Sequence, residues 1–111
     1  MCLNKNKEKK LKKKISDEIK NLIFKEVEKF NQNELSKLDS FKAEIKGKFI
    51  YLKLNNEPRC RLKYSGSLNN LEFAIYKYSS NAYDPEEFLF PGFEYVDGTI
   101  YGALKAGLEA Y

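Results

Sequence analysis

The chain has 111 residues, 42% of them hydrophobic, with twenty basic against sixteen acidic side chains and no histidine. That length suits one domain with a single core; no apolar run approaches the roughly eighteen residues of a membrane span, and the lysine-rich start lacks the apolar segment of a secretory leader. Without histidine the commonest general base and transition-metal ligand is missing, and Cys2 and Cys60 make no disulfide framework, so a cytoplasmic setting with Cys60 as a small buried hydrophobe is expected.

The net charge of +4 is unevenly placed. Residues 1–15 carry seven Lys against Glu8, residues 16–40 four Lys against six acids, residues 41–79 eight basic groups against three acids, and residues 80–111 Lys105 against six acids. The chain therefore reads as a lysine-rich arm over residues 1–15 and one α+β domain over residues 16–111, whose sheet is basic and whose end is acidic. In the arm only Leu3 and Leu11 are large apolar groups. It is either a solubilising tail or an electrostatic lure for a polyanion.

Ser16 can cap a helix, with Asp17 and Glu18 in the first turn where the dipole favours acids. Ile15, Ile19, Leu22, Ile23, Val27 (or Glu26) and Phe30 follow at helical spacing, Asn31-Gln32-Asn33 weakens the pattern, and a further turn would dock Leu35 and Leu38 inwards. Residues 41–54 predict a hairpin turning at Gly47-Lys48. Ile45 then faces Ile50, Ala43 faces Leu52 and Phe41 faces Leu54 on the apolar side, while Lys42, Glu44, Lys46, Phe49, Tyr51 and Lys53 share the other.

Residues 55–58 read as a loop in which Pro58 stops the ladder. A third strand over residues 59–64 puts Cys60, Leu62 and Tyr64 inward and Arg59, Arg61 and Lys63 outward. A fourth from residue 71 puts Leu71, Phe73 and Ile75 inward and Glu72, Ala74, Tyr76 and Tyr78 outward, with Leu62 opposite Phe73 and Lys63 opposite Glu72. The expected fold is α+β: an N-terminal helix, a four-stranded antiparallel meander and a C-terminal helix, both helices on one face of the sheet.

Residues 79–98 form a long acidic aromatic connection in which residues 88–90 and 93–96 are candidate edge strands. The last helix carries an inner stripe of Ile100, Ala103, Leu104, Gly107, Leu108 and Tyr111, started by Asp97 or Thr99. Gly102, Ala106 and Ala110 form a second, small-residue stripe at i, i+4, i+8, which would admit another helix, either the first one or a partner's.

Phe73-Ala74-Ile75-Tyr76-Lys77-Tyr78, Tyr83-Asp84-Pro85-Glu86-Glu87, Phe90-Pro91-Gly92, Val96-Asp97-Gly98-Thr99 and Gly102-Ala103-Leu104-Lys105-Ala106-Gly107 resemble a block from a family of small uncharacterised bacterial proteins. The same third of the chain resembles, more loosely, the HicB-type antitoxin domain. Pro91-Gly92 would be its corner, Gly98-Thr99 its helix start and residues 100–110 its Ala-rich helix, and Tyr101-Gly102 replaces its usual acidic pair. That resemblance implies a toxin protein as partner.

The chemistry readable in the residues is that of binding. Phe49, Tyr51, Tyr76 and Tyr78 share the polar sheet face with Lys42, Lys46, Lys53, Arg59, Arg61 and Lys63, a mixture able to stack bases and hold phosphates. Two alternatives compete: the acidic segment folds back over this face, or the aromatics pack on a second subunit. No Gly-rich phosphate loop or zinc-spaced cysteine pair occurs, and no cofactor is expected. Asp84, Glu86, Glu87, Glu94 and Asp97 have oxygen ligands for Mg²⁺ or Ca²⁺ but no known loop spacing. Asp39 followed by Glu44-Ile45-Lys46 has the acid, acid-x-Lys order of metal-dependent nucleases. The expectation is thus a non-enzymatic interaction module that binds a protein partner or itself. A nucleic-acid binder is the alternative and a metal-dependent nuclease a distant one.

Overall fold

The computed structural model describes residues 15–110; residues 1–14 of the arm, and Tyr111, assigned above to the inner helical stripe, lie outside it. Helix α1 spans Asp17–Glu34, β1 Phe41–Lys46, β2 Phe49–Leu54, β3 Glu57–Lys63, β4 Glu72–Lys77, β5 Ala82–Asp84, and helix α2 Ile100–Glu109, with a 3₁₀ turn at Phe93–Tyr95. The strands form one antiparallel sheet in the order β1-β2-β3-β4-β5.

The sheet has five strands where four were expected. After β4 the chain reverses through Asn81, whose φ of 50° is left-handed, and Ala82–Asp84 pairs back so that Tyr83 lies opposite Tyr76. The segment is only three residues long, too short for a period-2 pattern to show in sequence. The anticipated edge strands do not form: Phe93–Tyr95 is the 3₁₀ turn, and residues 88–90 are irregular.

The first hairpin has the expected register, Ile45 facing Ile50 and Lys46 facing Phe49. The second differs. Asn55 and Asn56 take positive φ (51° and 70°) and make a two-residue turn, so β3 begins at Glu57 and contains Pro58. Asn accepts left-handed backbone better than most residues, which lets this pair close a tight hairpin. The register then slips between Leu52–Cys60 and Lys53–Pro58, a β-bulge that leaves Arg59 without an opposite residue.

One apolar cluster joins Ile23, Val27 and Phe30 of α1 to Phe41, Ile50, Leu52, Cys60, Leu62 and Ile75 of the sheet and to Ile100, Ala103 and Leu104 of α2. The Ser16 hydroxyl caps α1 by accepting from the Ile19 N–H at 3.2 Å. That helix continues through Asn31 because the Asn31 side chain finds partners on β1 (Nδ2 to the Phe41 carbonyl, 2.9 Å; Phe41 N–H to Oδ1, 2.7 Å). Leu22 and Leu38, expected to point inward, are exposed (51% and 92%), whereas Leu35 packs against the core. α2 is capped by Thr99, whose hydroxyl accepts from the Gly102 N–H at 3.0 Å while donating to Asp97 Oδ1 at 2.6 Å.

Candidate binding face on the sheet

Alternation along the strands places Glu44 and Lys46 of β1, Phe49 and Tyr51 of β2, Arg61 and Lys63 of β3, and Tyr76 of β4 on the side away from the helices. β5 adds Tyr83, which sequence reasoning left in the acidic loop. Its pairing with Tyr76 depends on a four-residue turn, residues 78–81, and the three-residue strand beyond it carries too little pattern to reveal that register.

These side chains form a layer. The Arg61 guanidinium lies 4.7 Å from the Phe49 ring centre and 5.3 Å from that of Tyr83. The Tyr83 ring meets Tyr51 at 5.5 Å and Tyr76 at 5.0 Å, both edge to face, and Tyr76 meets Tyr78 at 4.9 Å. A strip of rings thus runs from Phe49 to Tyr78 with Arg61 set into it. It is continuous enough to leave Ala74, on the same face, only 2% exposed. Edge-to-face geometry and the cation–π contacts each contribute on the order of 1 kcal/mol, so the strip is held in place before any ligand arrives. Tyr78 is half exposed, and its hydroxyl is anchored to the Pro58 carbonyl at 3.0 Å.

Burial pushes the Tyr83 phenol up to about 12, and the neighbouring Cys60, Tyr51 and Tyr76 add to the shift against an opposing pull from Arg61. Tyr83 therefore stays a neutral hydrogen-bond donor at physiological pH. Lys53 reaches Glu44 at 2.9 Å, and this hydrogen bond holds the Glu44 carboxyl below the usual carboxylate range. Lys46 stands 5.8 Å from the Tyr51 ring centre. Lys42 and Lys46 are exposed, and Lys53 and Lys63 are half-buried.

Arg59 does not belong to this face. The bulge turns it toward the helix layer, where its Nη1 donates to the Ala110 carbonyl at the end of α2, 2.8 Å away. A cation there meets the negative end of the helix dipole, in a helix whose last turn has no basic residue of its own.

Apart from Tyr83, which lies on the face, the described part of the acidic segment does not fold over it. Beyond β5 it crosses to the helix side: Phe90 stacks on the inward Phe73 at 5.8 Å and is 7% exposed. Gly92 is pressed so tightly on α2 that a Cβ there would lie 2.8 Å from Glu109 Cβ and 2.9 Å from the Ala106 carbonyl. This contact also corrects the small-residue stripe. Gly102, Ala106 and Ala110 are buried inside the chain's own fold, Ala106 against Gly92 and Gly102 against Asp97 and Tyr95, so they offer no surface to a partner helix.

Three of the five acids considered as metal ligands are engaged elsewhere, Asp97 with the N–H and hydroxyl of Thr99. Glu87 Oε1 and Asp84 Oδ2 hold Lys77 at 2.9 and 3.7 Å. Asp39 accepts from Asn55, and Glu44 accepts from Lys53. Among the described residues no group of three or more acidic or thiol side chains is placed to hold a metal ion, and no helix is long and apolar enough to cross a membrane. Comparison of the chain with protein-family models, with curated proteins and with solved structures finds no match.

Proposed function

We propose that the protein is a non-enzymatic binding module whose sheet face takes single-stranded nucleic acid. The observation carrying this reading is the strip Phe49–Tyr51–Tyr83–Tyr76–Tyr78 with Arg61 inserted, flanked by Lys42, Lys46, Lys53 and Lys63 and left open by an acidic segment that packs on the other side of the sheet. Bases have a π-face whatever their sequence, and each one stacked on an aromatic side chain contributes about 1–3 kcal/mol. Lysines at the border would meet the phosphates as point charges, giving an affinity that falls with salt. Because Tyr78 and Arg61 are already fixed by their neighbours, little side-chain freedom is lost on binding. Among the described residues the strands place Glu44 and Glu72 on this face, Glu44 engaged with Lys53, and Glu57 stands near its Tyr78 end.

The test is fluorescence anisotropy of labelled oligothymidylate and oligouridylate against salt. Binding with a negative slope of log affinity against log salt is expected, and Arg61→Glu with Lys63→Glu should flatten that slope. Absence of binding at low salt, or a double variant that binds as wild type does, overturns the assignment.

A further inference from the structure

On the helix side of the molecule the segment between β5 and α2 displays Phe88, Leu89, Phe93 and Tyr95 to solvent at 57%, 77%, 43% and 38% exposure. The Phe88 and Phe93 rings meet at 6.1 Å between centres, and exposed apolar patches rimmed by polar residues mark contact surfaces. The display is rigid. Phe90 anchors it in the core, and Gly92 seats it on Ala106. The backbone bonds Tyr95 N–H to Gly92 O (3.0 Å) and Val96 N–H to Phe93 O (3.0 Å) close the 3₁₀ turn. A shallow depression of about 500 Å³ runs between Phe90–Tyr95 and Glu109. Glu94 and Glu109 line it, Glu86 and Asp97 are exposed on the same segment, and Lys105, 5.2 Å from the Tyr95 ring centre, is paired with Glu34 at 3.6 Å.

We infer that this acidic aromatic patch docks on the basic aromatic sheet face of a second copy of the chain, in competition with nucleic acid. The two surfaces are complementary in sign and alike in aromatic content, and they lie on opposite layers of one molecule. A contact between different surfaces is head-to-tail: it leaves a free patch on one copy and a free face on the other, so it extends with concentration and does not stop at a symmetric pair. The competition rests on the nucleic-acid reading of the sheet face; the contact between copies does not. The contact would keep an unliganded aromatic face covered, and nucleic acid would release it.

Mixing two full-length variants, each disabled on one surface, tests the contact. Leu89→Ser with Phe93→Ser alters only exposed side chains of the patch, and Lys42→Glu with Lys46→Glu alters only exposed side chains of the face. By sedimentation velocity, wild type should grow in mass with concentration and return to monomer at high salt, where screening weakens the contact roughly tenfold or more. Each variant alone should remain monomeric, and an equimolar mixture should give a 1:1 dimer and nothing larger, because one live patch then meets one live face. A wild type that is monomeric throughout, a mixture that stays monomeric, or a patch variant that associates as wild type does overturns the inference. So does a wild type that is monomeric yet binds a lysine- and leucine-rich peptide at residues 88–95, since the occupant would then be a different basic protein. Oligothymidylate should dissolve the assemblies. If it binds without dissolving them, the competition is refuted. If it does not bind while the mixture still dimerises, the contact stands and the nucleic-acid reading alone fails.

Discussion

The Asn31 carboxamide is paired with the Phe41 backbone on both of its polar sides, donating to the carbonyl at 2.9 Å and accepting from the N–H at 2.7 Å. Since Asn55 N–H reaches the Ser40 carbonyl and Phe41 faces Leu54, the polar groups of Phe41 point away from β2, toward the free edge of the sheet. A helix side chain thus takes the place of a missing strand, a way of blunting an edge that would otherwise pair with another chain. Asn31→Ala should destabilise by about 1–3 kcal/mol, the loss associated with leaving partly buried groups unpaired. Asn31→Asp keeps the acceptor but sets a carboxylate oxygen against the Phe41 carbonyl, so it should not restore stability. Urea denaturation of the pair decides this, and an Asn31→Ala protein as stable as wild type would mean that water serves the edge equally well.

The two interior glycines of α2 should respond in opposite directions to alanine. At Gly102 a Cβ would fall on the Asp97 carboxylate and the Tyr95 carbonyl, which belong to the turn feeding the helix. Gly102→Ala should therefore destabilise by about 1–3 kcal/mol through displaced backbone. At Gly107 the nearest atoms, Arg59 Cβ and Cys60 Sγ, are at 3.4 Å, ordinary contact for a methyl group but not for a branched side chain. Gly107→Ala should gain up to about 1 kcal/mol of helix propensity, while Gly107→Leu overpacks the core and loses about 1–3 kcal/mol. Thermal and urea unfolding of all three variants checks the order.

The sheet face was readable from sequence wherever period-2 alternation ran for six residues or more, as in the pairing of Ile45 with Ile50 and Lys63 with Glu72. Its errors come from places where backbone conformation overrides alternation. Asn55 and Asn56 accept positive φ and begin β3 early, Pro58 occupies a bulge, and the extra residue sends Arg59 to the helix side. Tyr83 was missed because three residues carry too little pattern. The small-residue stripe was seen, but its occupant was not, because a proline-glycine corner that packs on a helix leaves no periodic trace.

Cys60 should be inert in the folded chain. It is 0% exposed, its Sγ lies 3.7 Å from the Ala103 carbonyl, and burial pushes the thiol far above the usual thiol range, so almost no thiolate exists at neutral pH. In a Cys2→Ser background, alkylation at pH 8 should follow the rate or population of global unfolding and accelerate only near the urea midpoint. Rapid labelling in native buffer would require β3 and α2 to separate locally.

The last expectation separates two arginines that stand two residues apart on one strand. Arg59 reaches the Ala110 carbonyl at 2.8 Å, whereas Arg61 lies between the Phe49 and Tyr83 rings. Hydrogen bonds to charged groups contribute about 1.5–3 kcal/mol, so Arg59→Met should destabilise by about that amount and expose the end of α2 to faster amide exchange. It should leave oligonucleotide affinity within about twofold, since no phosphate-facing charge is lost from the sheet face. Arg61→Met keeps an apolar stem over the rings and forfeits cation–π contacts of about 0.5–1 kcal/mol each, a small change in stability. It removes the cation set into the aromatic strip, so oligonucleotide affinity should drop by roughly tenfold with a shallower salt slope. Unfolding curves and anisotropy titrations on the same two proteins give the comparison. If Arg59→Met weakens binding as much as Arg61→Met while remaining stable, the bulge does not turn Arg59 away from the ligand, and the two side chains work on one surface after all.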